Sequence, residues 1–173
     1  KEAEIALKGL FAAIPYYIHV SKEAYYETIF YLISGFLGQP LEVEKATGEG
    51  RIDIVLKMPG TGTFVIEMKY EKMPSVKGKA AKGKKGKVGT DDLPASVEET
   101  EPKLTDEQEA ELKPKIEAIL NKAAEVALKQ IQNKEYTAPF TKSDQPIYQA
   151  VVVVCGRTNV RVIFRETHLP TSA

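Results

Sequence analysis

The chain has 173 residues and equal numbers of basic and acidic side chains, 24 Lys+Arg against 24 Asp+Glu, so its formal net charge is zero. This balance excludes a globally basic nucleic-acid-binding protein but leaves room for a local basic surface. The length suits one domain, and a content of 43% hydrophobic and 28% charged residues is typical of a globular protein. No apolar run approaches the roughly 18 residues that a membrane span needs.

Cysteine and histidine are too scarce to dominate a metal site. Cys155 is the single cysteine, which excludes an internal disulfide and a thiolate metal cluster. His19 and His168 are far apart in the sequence, so a bound metal would be held mainly by carboxylates, which favours a hard cation such as Mg²⁺. The sequence shows no signal peptide and begins with Lys1, so we expect a cytoplasmic protein cut or processed from a longer chain.

The first third of the chain predicts two helices. A short helix over Glu2–Ala13 ends before Pro15. A second helix, from about Lys22 to Leu37, has Ser21 as its expected N-cap and Gly38 as its stop. The apolar stripe of this second helix consists of Tyr26, Ile29, Phe30, Ile33 and Leu37.

Three strands follow the second helix. The first, Leu41–Ala46, is weakly patterned, whereas Arg51–Lys57 and Thr63–Tyr70 are strongly patterned. The sequence Pro-Gly-Thr-Gly at 59–62 predicts a tight turn between the last two.

The middle of the chain is unevenly charged. Residues 71–90 hold seven lysines and one acid, 7 − 1 = +6, and residues 91–111 hold one lysine and nine acids, 1 − 9 = −8. Because this stretch is rich in glycine and poor in large apolar residues, we expect a flexible insertion at about 74–102 within a single domain, 1–173. Its lysines are either a phosphate-gripping arm with salt-dependent affinity or part of a soluble tether. These lysines are Lys77, Lys79, Lys82, Lys84, Lys85 and Lys87.

A long helix is predicted after the insertion. Thr105 and Gln108 form a capping-box pair at its start. Pro114 is expected to kink or restart the helix, which then continues to about Lys134. Its apolar face consists of Ile116, Leu120, Ala123, Ala127 and Ile131.

Two strands complete the chain. Ile147–Val154 is almost continuously apolar and is therefore predicted to be central, while Asn159–Phe164 alternates and is predicted to be an edge strand. The order α-β-β-β-α-β-β indicates an α/β fold whose sheet has strands in both directions.

The two strongly patterned strands carry charged residues at predicted core positions. Side chains alternate along a strand, so Val65, Glu67 and Lys69 share one face. By the same rule Ile52, Ile54 and Leu56 share a face of the preceding strand, and Asp53 points away from them.

The turn sets which of these residues meet. If a three-residue loop closes between positions 58 and 62, paired residue numbers sum to 120 and Asp53 faces Glu67. Two carboxylates so placed need a cation, which is either Lys69 or a divalent metal held by Asp53, Glu67 and the carbonyl oxygen of Met68. A metal there would generate a nucleophilic water, with Lys69 orienting it or offsetting charge. The alternative is a plain cross-strand ion pair on a solvated face.

Two strand segments resemble a known family. Gly50–Leu56 followed by Phe64–Tyr70 resembles the D…ExK core of the PD-(D/E)XK nuclease superfamily. Further segments, Leu10–Tyr16, Glu23–Tyr26 and Ala127–Tyr136, resemble a bacterial branch found C-terminal to an AAA-ATPase-like domain. The resemblance implies a restriction-endonuclease-like fold, a Mg²⁺- or Mn²⁺-dependent nuclease that favours DNA over RNA, and an upstream ATPase-like domain.

The resemblance also implies roles for single residues. Asp53 and Glu67 match the family's metal ligands, and Lys69 matches its catalytic lysine. A catalytic glutamine on the following helix corresponds to Gln130, although Gln132 has the tyrosine, Tyr136, at the family's four-residue spacing.

Two further assignments follow from the resemblance. Glu27 on the second helix is similar to an extra acidic metal ligand, the alternative being a solvated helix acid. Tyr136 joins the lysines of the insertion as a candidate contact for nucleic acid. A non-catalytic nucleic-acid-binding or regulatory module of an ATPase-linked protein is the competing function, because fold alone does not fix activity.

Overall fold

The computed structural model describes residues 1–39, 41–48, 50–75, 105–142 and 144–168. The predicted insertion at about 74–102 therefore lies almost wholly outside the described residues, and so do the six lysines from Lys77 to Lys87. Among the helices that are described, none combines the length and apolar character required to cross a bilayer.

The order of helices and strands is the one predicted. The elements are α1 (Glu2–Ala13), α2 (Glu23–Phe36), β1 (Leu41–Thr47), β2 (Gly50–Met58), β3 (Gly62–Glu71), α3 (Asp106–Asn133), β4 (Ile147–Cys155) and β5 (Asn159–His168). Short 3₁₀ turns at Tyr16–Ile18 and Ala138–Phe140 precede α2 and β4.

The five strands form one mixed sheet in the order β1-β2-β3-β4-β5. The strands β3 and β4 are parallel, with α3 between them in sequence, and the other neighbouring pairs are antiparallel. As predicted, β4 is a buried inner strand and β5 lies at an edge.

Helices cover both faces of this sheet. On one face α3 packs its apolar side, including Ile116, Leu120 and Ile131, against Val65 and Val151. On the other face α1 and α2 form a second cluster with the sheet; its buried members are Phe11, Tyr26, Ile54, Ile66, Met68, Ala150, Val152, Val154 and Val160. The result is a three-layer α/β/α arrangement in which β3 is covered on both sides.

The ends of α2 differ in part from expectation. Lys22, not Ser21, is its N-cap, and no side chain of the described residues caps it. Gly38 ends it as predicted: with φ +67° it donates to Gly35 O, and Gln39 donates to Ser34 O, a Schellman arrangement. Leu37 was assigned to the apolar stripe but is 68% exposed, because it lies beyond the last helical turn.

The helix α3 confirms its predicted start and corrects its predicted interruption. Both hydrogen bonds of the capping box are present: the Thr105 side chain accepts from the Gln108 backbone N–H, and the Gln108 side chain accepts from the Thr105 backbone N–H. The helix runs through Pro114 without restarting. A proline removes one backbone N–H bond, whereas Leu112 and Ile116 on either side are buried against the sheet and stabilise a single continuous helix.

Candidate active site

The β2–β3 hairpin has the predicted register. Its ladder begins at Met58↔Gly62, around a three-residue loop, and ends at Ile54↔Ile66, with paired numbers summing to 120. Gly62 has φ +145°, and a Cβ there would lie 2.5 Å from Pro146 O, so this turn needs glycine. In the same register, Asp53 and Glu67 are the next pair of residues beyond the last paired residues of the ladder.

The strand β2 is irregular at Asp53. Ile52 packs in the α3 cluster whereas Ile54 packs in the α1/α2 cluster, although alternation would place both on one face. The predicted common face of Ile52, Ile54 and Leu56 is therefore wrong for Ile52. The neighbouring strand is irregular at the same level, since Glu44 of β1 has φ +49°. This change of face sets the direction of the Asp53 side chain.

Asp53 takes the place of a strand partner for β3. Its Oδ2 accepts a hydrogen bond from the backbone N–H of Met68 at 2.9 Å. The β2–β3 ladder thus stops at Ile54↔Ile66, and a carboxylate satisfies the next donor on β3. Buried backbone donors are rarely left unpaired, so this bond fixes Asp53 beside the strand that carries Glu67 and Lys69.

Lys69 lies among three carboxylates. Its Nζ is 2.6 Å from Glu67 Oε1, 3.7 Å from Glu23 Oε1 and 3.8 Å from Asp53 Oδ2. We call these four residues the site cluster. With all four ionised, its charge is 1 − 3 = −2, so Lys69 does not neutralise it.

Glu67 is the most buried member of the site cluster. Its side chain is 0% exposed, and its Oε2 has no hydrogen-bond partner among the described residues. Burial raises the pKa of Glu67 to about 7, against the opposing hydrogen bond from Lys69. A fully buried carboxylate with one free oxygen excludes the solvated ion pair that the sequence left open.

The amine of Lys69 stays protonated in this setting. Burial alone would lower the pKa of Lys69, but the hydrogen bond and charge of Glu67, with the charges of Asp53 and Glu23, raise it above its ordinary value. Without a bound metal, Lys69 is therefore a cation at neutral pH.

The helix α2 brings two more acids to the site. Oxygens of Glu23, Glu27 and Asp53 lie within 4.8 Å of one another. Glu23 Oε2 accepts the backbone N–H of Tyr70 at 3.2 Å. Burial and the charge of Asp53 raise the pKa values of both glutamates, and the charge of Lys69 opposes this rise in both. The sequence pointed to Glu27 but not to Glu23, which lies one helical turn earlier on the same side of α2.

Tyr26 anchors α2 at the site. Its hydroxyl donates to Gly156 O at 2.9 Å and lies 2.7 Å from His19 Nε2. Its ring stacks on that of Tyr70, with centroids 5.6 Å apart. The helix that carries Glu23 is thus held against both β3 and the β4–β5 turn.

The other predicted site residues are not joined to the site cluster. Gln130 is half-buried and Gln132 exposed, and no hydrogen bond found in the described part of the chain links Gln130 to Asp53, Glu67 or Lys69. Tyr136 is 3% exposed and packs in the α3 cluster, a position that does not favour its predicted contact with nucleic acid. Its hydroxyl occupies the space that a Cβ on Gly50 would need.

The donors present fit a hard divalent cation. All are carboxylate oxygens, they outnumber the local amine, and Glu67 Oε2 is a buried acceptor without a partner in the described structure. Mg²⁺ and Mn²⁺ favour such oxygen ligands.

Comparison with known proteins gives a family match. Residues 21–105, from the start of α2 to the N-cap of α3, match a family model described as PD-(D/E)XK nuclease superfamily. Neither the curated proteins nor the solved structures gave a match. The mixed five-stranded sheet flanked by helices is consistent with the predicted restriction-endonuclease-like fold.

Proposed function

We propose that this protein is a metal-dependent nuclease that hydrolyses phosphodiesters, with DNA preferred to RNA. The observation that carries the proposal is the site cluster, in which a protonated lysine and three carboxylates meet where the β2–β3 ladder ends. A plain structural ion pair does not require three carboxylates around one amine, whereas an excess of carboxylate oxygens suits a cation site.

Asp53, Glu67 and the carbonyl oxygen of Met68 would hold Mg²⁺ or Mn²⁺, with Glu27 as a further ligand. Such a cation supplies an activated water and a polarised phosphoryl oxygen. Glu67 contributes its unpartnered Oε2, and Asp53 contributes a carboxylate whose position is fixed by the Met68 N–H.

Lys69 supplies the positive charge of the protein itself. Its ammonium group has three donors, which suit it to orient the attacking water and to offset the charge that develops on the phosphoryl oxygens. Gln130 would assist from α3, and the lysines of the 74–102 insertion would bind phosphates electrostatically. An upstream ATPase-like domain would deliver nucleic acid to the site.

The test is a cleavage assay on duplex DNA, single-stranded DNA and RNA with Mg²⁺ or Mn²⁺, with and without EDTA. Asp53→Asn, Glu67→Gln and Lys69→Met should each lower the cleavage rate at least about 100-fold, as removal of transition-state stabilisation commonly does. Lys57→Met is the matched control, because Lys57 lies on β2 in an exposed ion pair and should leave the rate unchanged. Cleavage that survives EDTA, or equal rates for Lys69→Met and wild type, would overturn the proposal.

The second candidate is a non-catalytic binding or regulatory module coupled to an ATPase. The observation in its favour is that Lys69 already neutralises Glu67 at 2.6 Å. This function predicts that nucleic acid binds, by fluorescence anisotropy, with the same affinity in wild type and Asp53→Asn, and that no cation binds in calorimetry.

A further inference from the structure

Glu23 is fixed independently of Lys69. One carboxylate oxygen accepts the Tyr70 N–H, and the other is the one near Lys69. Three residues along the helix, Tyr26 holds α2 against Gly156 and Tyr70. The backbone hydrogen bond and the anchored helix therefore hold the carboxylate of Glu23 beside the amine without help from the other two acids.

Lys69 makes its shortest contact with a residue that the proposed function uses as a metal ligand. Its Nζ lies 2.6 Å from Glu67 Oε1 but 3.7 Å from Glu23 Oε1. The metal would take Oε2 of Glu67, so an ammonium group held on Oε1 would lie on the same carboxylate as the metal and would repel it, because like charges a few ångströms apart repel strongly in a partly buried site. Binding of a cation to Asp53 and Glu67 therefore favours a shift of the amine toward another anion.

We propose, on the basis of the function above, that Lys69 is an internal counter-cation for Asp53 and Glu67 before a metal binds and that Glu23 is the positioning residue that receives Lys69 when these two acids bind a metal. Lys69 then remains at the site instead of leaving it. Glu23 acts through Lys69 and is not a metal ligand.

The contrast with Glu27 supports this assignment. Both glutamates lie near Asp53. Glu23 has one oxygen bound to a backbone donor and the other facing Lys69. No hydrogen bond or ion pair within the described ranges engages the carboxylate of Glu27, which leaves it available to a cation.

A double-mutant cycle measured by Mn²⁺ calorimetry, without substrate, tests the proposal. Lys69→Met should bind Mn²⁺ about tenfold more tightly than wild type, because the competing cation is gone. Glu23→Gln keeps an acceptor for Tyr70 but removes the charge, so it should weaken Mn²⁺ binding at least about fivefold more in wild type than in the Lys69→Met background. Glu27→Gln removes an equal charge near Asp53 and serves as the matched control; since the ion pair with Lys69 belongs to Glu23, the loss for Glu27→Gln should differ much less between the two backgrounds.

The outcomes separate the inference from the proposed function. If wild type binds no Mn²⁺, the proposed function fails and the inference fails with it. If wild type binds Mn²⁺ but Glu23→Gln has the same effect in both backgrounds, or Lys69→Met does not bind more tightly, the inference alone is wrong. Thermal melts by circular dichroism verify folding; if Lys69→Met does not fold, Lys69→Gln removes the charge while keeping a donor for Glu67.

Discussion

Two clusters of lysines and carboxylates on this sheet have the same residue types and opposite properties. In the edge cluster, Glu42 of β1 pairs with Lys45 at 2.6 Å and with Lys57 of β2 at 2.9 Å. Two lysines there pair with one glutamate, and the Glu42 side chain is 45% exposed. In the site cluster one lysine lies within 4 Å of three carboxylates, and Glu67 is fully buried.

The pKa values record this difference. Hydrogen bonds from Lys45 and Lys57 lower the pKa of Glu42. Burial raises the pKa of Glu67 to about 7, although the closest lysine is equally near. The number of opposing charges and the access of water decide whether such a cluster is a surface ion pair or a site that attracts a further cation.

The largest expected difference concerns stability without metal. Lys69→Met should lower the free energy of unfolding by about 2–3 kcal/mol at pH 8. This loss is at or below the lower end of the range for breaking a buried ion pair, because Glu67 can become neutral by taking up a proton. Lys57→Met should cost less than about 1 kcal/mol. Urea denaturation in EDTA measures both, and equal losses would show that the two clusters do not differ as described.

The next difference is the direction of the pH dependence. Glu67 has a folded pKa above its ordinary value of 4.5, so the folded state holds the proton longer and wild type loses stability relative to Glu67→Gln as pH rises from 4.5 to about 7. Glu42 has a lowered pKa, so its stabilisation is present above pH 4.5 and is lost as pH falls below that value. Melting temperatures of wild type, Glu67→Gln and Glu42→Gln in EDTA from pH 3.5 to pH 8 test both signs. Parallel profiles for the two variants would contradict the opposite pKa shifts.

The smallest expected effect is the response to salt. The coupling between Glu42 and Lys57, from a double-mutant cycle, should be under about 1 kcal/mol and should vanish at about 1 M NaCl, where the Debye length is about 3 Å. The coupling between Glu67 and Lys69 should persist, because buried pairs are screened much less. Loss of both couplings at the same salt concentration would mean that water reaches the site cluster freely.

Local signals were sufficient to predict much of the fold. Pro15 ends α1 because its ring restricts the backbone, Gly38 ends α2 because glycine readily adopts a positive φ, and Thr105 starts α3 by a capping bond within one turn. The loop between Met58 and Gly62 set the hairpin register, which brought Asp53 and Glu67 to the same level of the sheet. These features depend on residues close in sequence.

The parts that sequence did not predict depend on distant residues. Glu23 reaches Tyr70 across 47 positions, which no spacing rule covers. The change of face between Ile52 and Ile54 follows from packing against α3 on one side and α2 on the other. The burial of Tyr136 likewise involves a residue distant in sequence, because its hydroxyl lies against Gly50.

The anchoring of α2 by Tyr26 has a consequence for recognising related chains. A helix turns by about 100° per residue, so a single insertion between Glu23 and Tyr26 would swing the acid away from Lys69 while the phenol kept its bond to Gly156. A Glu-x-x-Tyr signature on the helix before the sheet should accordingly be inherited together with the strand motif. On the inference above, relatives that keep the tyrosine but lack the glutamate would keep the anchored helix and lack the acid that receives Lys69.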